Sequence, residues 1–578
     1  MTIRQDEHFG VTMKLSRTFL LIGIMLLNAG CGGGSGGTTP STAPTPAPIP
    51  APTPAPTPTP TPAPASLYPD YNKSPIAPDA TGMSSDAVQL AAKIKLGINI
   101  GNTMEGYCPA NPSETCWGNP AVTPAYVKLV KDAGFDAIRI PLSWDQYADQ
   151  TTGKISDAWL NRVKQVVQYA VDNGLYVMVN VHWDGGWLER NINATSQVRV
   201  NAKQKAYWEQ IATKLRDFDE HVLFASANEP DATTPTQVPI LDSYHQTFVN
   251  AVRSTGGRNA YRVLVIQGLR TDIDMTMDMW KGMPTDTVPR RQMFEIHYYP
   301  GFFSNKGEDD SWGLMHCYWG EGYHSLTDTT RNANNFWRPE EETFTDTQFA
   351  RMKTKFGDHG IPVVLGEYAA MLRYPKTCAD YDLHLASREY FWKYVTKSAV
   401  DHGLLPFAWE VGRDEGYLID RYTPAVHDKQ VVDAMLVGAG KAIGTSNRPH
   451  SWNLNGSATD SSSTAYMRLT LNQAGATADY SFANPVDWRG KTLKVVLNFD
   501  QAFVSDRNGA TDGLFQFSTY ANGSPASEWK CWTANQALVA GQDTEFTCSA
   551  FSLRNAAGLG IQFFANTGSV TIKRALIQ

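Results

Sequence analysis

Charge is scarce in this 578-residue chain: Asp, Glu, Lys and Arg make up 19% of it, with a net charge of −7. No basic footprint for a nucleic acid is present. Apolar runs able to span a bilayer are also missing. The one pronounced run, Phe19–Leu27, falls well short of the ~20 residues a spanning helix needs. The seven cysteines show no zinc-site spacing, and no redox or nucleotide motif is found, so no cofactor is expected. Aromatics, by contrast, are plentiful, with 16 Trp and 24 Tyr. A surface poor in charge and rich in flat rings suits neutral, ring-shaped ligands such as sugars better than ionic ones.

Lys14 and Arg17 precede the Phe19–Leu27 run, and Asn28-Ala29-Gly30-Cys31 follows it. That arrangement resembles a bacterial lipoprotein signal, in which Cys31 becomes the acylated residue. Asn28 stands where such signals usually carry Leu, and a cleaved signal without lipid is the alternative. From Pro40 to Pro64 nearly every second residue is proline. Such a segment extends as polyproline II at ~3.1 Å per residue, on the order of 100 Å from Cys31 to Ser66. The expected layout is a signal over 1–31, a linker over 32–66, a large domain over 67–446 and a smaller one over 447–578. Export is expected, with a lipid anchor on the outer membrane as the only membrane contact, or else free secretion, and a monomer. Setting Cys31 aside leaves six cysteines, an even number that favours disulfides. Proximity favours Cys108–Cys116 and Cys531–Cys548, which leaves Cys317–Cys378, although proximity alone does not determine connectivity.

Between Leu67 and Gly444 the chain alternates apolar runs with amphipathic stretches. The strand candidates are 95–102, 135–142, 175–183, 222–229, 261–269, 293–299, 362–368 and 405–410. Their apolar runs lack clean alternation, as in parallel strands covered on both faces. Glycine just before a new run, as at Gly134 and Gly360, marks the end of a helix. Eight such units predict a (β/α)8 barrel, with a doubly wound sheet as the competing topology. Polar or aromatic residues close most strands: Asn102, Arg139, His182, Asn228-Glu229, His297, Tyr299, Glu367 and Trp409. In a barrel those ends converge on one cavity, and two carboxyl groups facing it are the minimum equipment for cleaving a glycosidic bond.

The segment from Gly97 to Gly412 resembles glycoside hydrolase family 5. The motifs are Gly97-Ile98-Asn99-Ile100-Gly101-Asn102-Thr103, Glu114-Thr115-Cys116-Trp117-Gly118-Asn119-Pro120, Ile138-Arg139-Ile140-Pro141, Asn228-Glu229-Pro230, His297-Tyr298-Tyr299 and Gly366-Glu367-Tyr368. The first two resemble the endo-β-1,4-glucanase and xyloglucanase branch. The resemblance implies a retaining double displacement on a β-glucan, with Glu229 as general acid/base and Glu367 as nucleophile. It implies that Arg139 and Tyr299 hold Glu367 and that His297 tunes Glu229. It further implies that Asn228 binds the sugar 2-hydroxyl, that His182 lines the same subsite and that Trp409 forms its floor. Trp183 stands where the branch often has a second His, so a stacking face replaces two ring nitrogens. Trp144, Trp187, Trp312 and Trp337 fall in loops, as cleft walls or as loop anchors.

From Ser451 onward, short strand-like runs alternate with Asn, Gly and Ser turns: 466–471, 492–499, 514–520, 558–564 and 569–577. This predicts a jelly-roll β-sandwich, which beside a glycanase reads as a carbohydrate-binding module. Trp488, Trp529 and Trp532 are candidates for an aromatic platform or for core. Asp506 and Asp512 flank a turn that reads as a plain loop or as a calcium site. A β-mannanase shares the same catalytic set. A non-catalytic glycan-binding lipoprotein predicts loss of one carboxylate, and a structural adhesin leaves the strand-end residues unexplained.

Overall fold

The computed structural model describes residues 66–442 except 301–313, 336–340, 375, 413–417 and 423, together with 452–455, 459–460, 467–470, 476–486, 488–490, 492–499, 515–520, 528–531, 539–549, 551–553, 556–564 and 568–577. The signal, Cys31 and the proline-rich linker lie outside the described residues, as do Trp312, Trp337, Trp532, Asp506 and Asp512.

Eight parallel strands close into a barrel: β1 (Gly97–Asn99), β2 (Ala137–Ile140), β3 (Tyr176–Asn180), β4 (Val222–Ala225), β5 (Leu264–Gln267), β6 (Gln292–Tyr298), β7 (Val363–Tyr368) and β8 (Leu404–Ala408). β8 pairs in parallel with β1, Phe407 opposite Gly97, and this closure rules out an open doubly wound sheet. A Cβ on Gly97 would lie 2.2 Å from the Phe407 ring, so the seam needs glycine there.

A helix follows each strand: α1 (Pro124–Asp132), α2 (Asp157–Asp172), α3 (Gln197–Leu215), α4 (Val238–Ser254), α5 (Ile273–Met279), α6 (Glu341–Lys355), α7 (Tyr381–Asp401) and α8 (Lys429–Gly438). On α2, Trp159, Leu160, Val163, Val166, Val167 and Ala170 are buried, the stripe a barrel-facing helix requires. Thr123, Asp380 and Asp428 cap α1, α7 and α8 by accepting a backbone N–H of the first turn. Before β7, Gly360 takes φ +78°, the left-handed conformation that lets the chain turn back to the sheet.

The barrel interior changes character along its axis. Ile94, Ala137, Met178, Leu223, Val265, Met293, Val364, Leu405 and Phe407 form an apolar cluster toward the N-terminal ends of the strands. Two residues further on, the same strand face carries Arg139, Asn180, Gln267 and Glu295. All four are fully buried, so the polar groups near the C-terminal mouth must satisfy one another.

Two disulfides belong to this domain, Cys108–Cys116 and Cys317–Cys378, and Cys531–Cys548 belongs to the C-terminal region. There the chain forms two five-stranded antiparallel sheets. The expected runs overlap five of these strands. The others include the longest, Ala476–Val486, whose sequence ATADYSFANPV alternates apolar and polar residues from Ala476 to Phe482. Trp488 is fully buried with its ring edge-on to Phe551, so it is core and not part of an aromatic platform. Trp529 lies on the strand Glu528–Lys530.

Trp208 on α3 is fully buried and packs against Phe224 of β4 and Phe248 of α4. Trp208→Ala is expected to cost ~3–5 kcal/mol through lost burial and a residual cavity, read as a lower guanidinium midpoint with an unchanged slope.

Candidate active site

Arg139, at the end of β2, has a fully buried side chain. Its Nη1 donates to Asn99 Oδ1 at 3.0 Å and to Glu367 Oε1 at 2.8 Å, and its Nη2 donates to Asn228 Oδ1 at 2.8 Å. Nε lies 3.0 Å from Glu295 Oε1, an ion pair in distance although off the hydrogen-bond direction. One planar group thus ties together β1, β6, β7 and the loop after β4, which a rigid five-donor fork can do and an ammonium cannot. Burial disfavours the charged guanidinium, but Glu295 and Glu367 outweigh it and leave Arg139 more basic than usual.

Glu229 and Glu367 face each other across this hub. An oxygen of each, and a ring nitrogen of His297, all lie within 4.8 Å of one another. Their exposures differ: the Glu229 side chain is 42% exposed and that of Glu367 only 6%. Tyr299 Oη donates to Glu367 Oε2 at 2.8 Å, so Arg139 and Tyr299 hold one oxygen each. Burial pushes Glu367 up from the usual carboxylate range, His297 and Arg139 pull it down, and Glu229 adds to the rise; the net direction is up.

His297 Nδ1 lies 2.8 Å from Glu229 Oε1, and Nε2 lies 3.3 Å from Glu295 Oε1. Burial works against a charged imidazole, yet Glu367, Glu229 and Glu295 outweigh it and hold His297 up to about 10. The ring is therefore a cation donating from both nitrogens near neutrality. His182 behaves oppositely. Burial first, then Arg139 and His297, keeps it well below its usual value and neutral. Its ring stacks parallel to Trp409 with centroids 5.8 Å apart.

The remaining expected residues sort clearly. Trp183 is half-buried, with the Tyr107 ring edge-on at 5.4 Å and the Arg190 guanidinium 5.4 Å from its ring. It is not among the bonded partners of the Arg139 cluster. Trp144 is fully buried and donates to Asn180 O at 2.8 Å, and Trp187 donates to Asp184 Oδ2 at 2.8 Å. Both are loop anchors rather than cleft walls.

Several site residues escaped the sequence reading. Glu295 is fully buried, and burial is overcome by Arg139 and His297 to leave it below the ordinary carboxylate range. It precedes His297 and Tyr299 at two-residue spacing on one strand face, a signal that could have revealed it. A Cβ on Gly366 would sit 2.0 Å from Glu295 Oε1, so glycine immediately before Glu367 leaves room for that carboxylate. Glu189, in the loop after β3, accepts the Glu229 backbone N–H at 2.7 Å, and nothing in its local sequence advertises the contact.

A parallel barrel with two carboxylates this close at its C-terminal mouth is built for glycosidic bond cleavage, which places the protein in the class of glycoside hydrolases. The family model for cellulase (glycosyl hydrolase family 5) matches residues 102–414. The xyloglucan-specific endo-β-1,4-glucanase of Bacteroides ovatus is 35% identical over 390 residues, covering 64% of this chain and 74% of that protein. Endoglucanase A of Paenibacillus barcinonensis is 33% identical, over 61% of this chain and 90% of that protein. A xyloglucan-specific β-1,4-glucanase from a ruminal metagenomic library, solved with XXLG, superposes with a TM-score of 0.57 at 35% identity, covering 62% of this chain and 96% of that one. A broad-specificity endoglucanase from Ruminococcus champanellensis with bound cellotriose gives 0.51 at 27% identity, covering 61% and 98%. The chain belongs to glycoside hydrolase family 5.

A histidine raised from 6.5 to about 10 on folding contributes stability that is complete below about 6.5 and lost as pH rises through about 10. His297→Gln should therefore lie furthest below the unmodified protein in Tm near pH 6, and the gap should narrow toward pH 10.5. A constant gap across that range would contradict the assignment.

Proposed function

We propose that the protein is a retaining endo-β-1,4-glucanase acting on plant cell-wall β-glucans, with xyloglucan as the preferred substrate. The observation that carries this reading is the approach of Glu229, His297 and Glu367 within 4.8 Å. Inverting enzymes hold their carboxyl groups ~6.5–9.5 Å apart to admit a water, whereas retaining enzymes need only ~5–5.5 Å. Two relatives described as xyloglucan-specific support the substrate. The broad-specificity relative favours a second reading, in which unbranched glucans are cut equally well.

In this mechanism Glu367 attacks the anomeric carbon while Glu229 passes its proton to the departing glycosidic oxygen. Water then attacks the glycosyl-enzyme, giving its proton to Glu229 and releasing Glu367, so configuration is retained. Arg139 and Tyr299 keep both Glu367 oxygens aimed, and His297 engages Glu229 Oε1, leaving Oε2 for the transferred proton. Asn228 would bind the sugar 2-hydroxyl. The neutral His182, stacked with Trp409, forms the floor of the same subsite, with Trp183 at its edge.

The flanking regions extend the reading. Acylation at Cys31 would anchor the enzyme to the outer membrane, and the proline-rich segment would hold it clear of the surface. The C-terminal sheets would form a jelly-roll module that retains the polymer.

Reducing-end release from xyloglucan, barley β-glucan, carboxymethylcellulose and glucomannan tests this assignment. Xyloglucan is expected to be cut fastest, with the β-anomer appearing first by NMR. Glu367→Ala should lose at least ~10³-fold with its Tm retained. Equal rates on the unbranched glucans would shift the assignment to broad specificity. Preference for glucomannan would move it to mannan, and initial release of the α-anomer would overturn the retaining mechanism.

A further inference from the structure

The hydrogen-bond ladder of β4 gives out before it reaches the acid/base. Ser226 N–H still pairs with Val265 O at 3.0 Å, but Ala227 N–H is taken by the Gln267 side chain and Glu229 N–H by the Glu189 side chain. Two side chains thus continue what the sheet no longer supplies. Glu189 is 7% exposed and reaches Glu229 N at 2.7 Å. The same carboxyl bonds the Asn228 side chain, whose Oδ1 is held by Arg139. The Glu189 carbonyl also accepts Asp231 N–H at 3.1 Å. One residue of the loop after β3 therefore grips 228, 229 and 231.

We propose that Glu189 is a positioning residue for Glu229, fixing the Asn228–Glu229 backbone so that the half-exposed acid/base carboxyl meets the glycosidic oxygen. This rests on the reading of Glu229 as the acid/base. A buried carboxyl suits the task only if it adds no further anion beside Glu367. Burial pushes Glu189 up to about 8 against the pull of the Glu229 amide, and the charges of Glu229 and Glu367 add to the rise. Among the charged groups on the adjoining loops are Arg190 and the Asp231–Arg270 pair. Near neutrality Glu189 is thus an uncharged acceptor, a role that glutamine can reproduce in shape and charge.

The test uses the full chain and two substrates: xyloglucan, whose departing sugar needs a proton, and 2,4-dinitrophenyl β-cellobioside, whose leaving group does not. kcat/KM reports the glycosylation step for both. Glu189→Ala is expected to lose roughly 10–100-fold on xyloglucan, the scale of a misplaced catalytic group, and less than about threefold on the aryl glycoside, where general-acid assistance is dispensable. Glu189→Gln should stay within about threefold on both at pH 6.5. Equal losses on the two substrates, no loss on xyloglucan, or failure of Glu189→Gln to restore the rate would overturn the proposal. Glu229→Ala is the control. If it lacks the same split between substrates, the acid/base reading falls; if it shows the split and Glu189→Ala does not, only the positioning role falls.

Discussion

Everything at the mouth of the barrel depends on one buried guanidinium. Removing a charge of that size from water costs several kcal/mol even after relaxation, and Arg139 is tolerated because carboxylates and amides meet it from four directions. The dependence is mutual. Glu295 and Glu367 lie in the same enclosed space, and neither could stay ionised without a cation beside it. Taking one partner away would leave the other uncompensated, so the cluster stands or falls as a unit.

The hub also explains the protonation pattern around it. Glu295 and Glu367 outnumber the single permanent cation, and the imbalance is met by charging His297. Burial, reinforced by the same two cations, keeps His182 neutral. One histidine becomes a donor to carboxylates and the other an uncharged ring stacked with Trp409, although their intrinsic chemistry is identical. Glu189 takes a proton because burial, and then the neighbouring acids, disfavour its charged form.

The barrel was largely legible because its strands must bury both faces, and apolar runs followed by a helix-stopping glycine are hard to mistake. The strand-end residues were legible for the same reason, since chain direction alone carries them to one rim. Glu295 went unread because an acid in mid-strand looks like an interruption until the barrel closes and Arg139 reaches it from β2. Trp144 and Trp187 were ambiguous in sequence. A tryptophan in a loop after a strand has the same local pattern whether its indole N–H meets a substrate or, as here, Asn180 O and Asp184. In the C-terminal region the strand Ala476–Val486 went unread because two of the four apolar residues in its alternating stretch are alanines and Asn484-Pro485 reads as a turn.

By itself, the sequence determined the periodicity, the order of strands and helices, the family motifs and the carboxylates Glu229 and Glu367, all properties written in local spacing. Tertiary structure decided which acids share a cation, which histidine carries charge, which tryptophans are core and which side chain takes over from the β4 ladder. Those outcomes depend on burial and on distances between residues mostly far apart along the chain, and the electrostatic energy of a buried group is set by what surrounds it in space, not by sequence order.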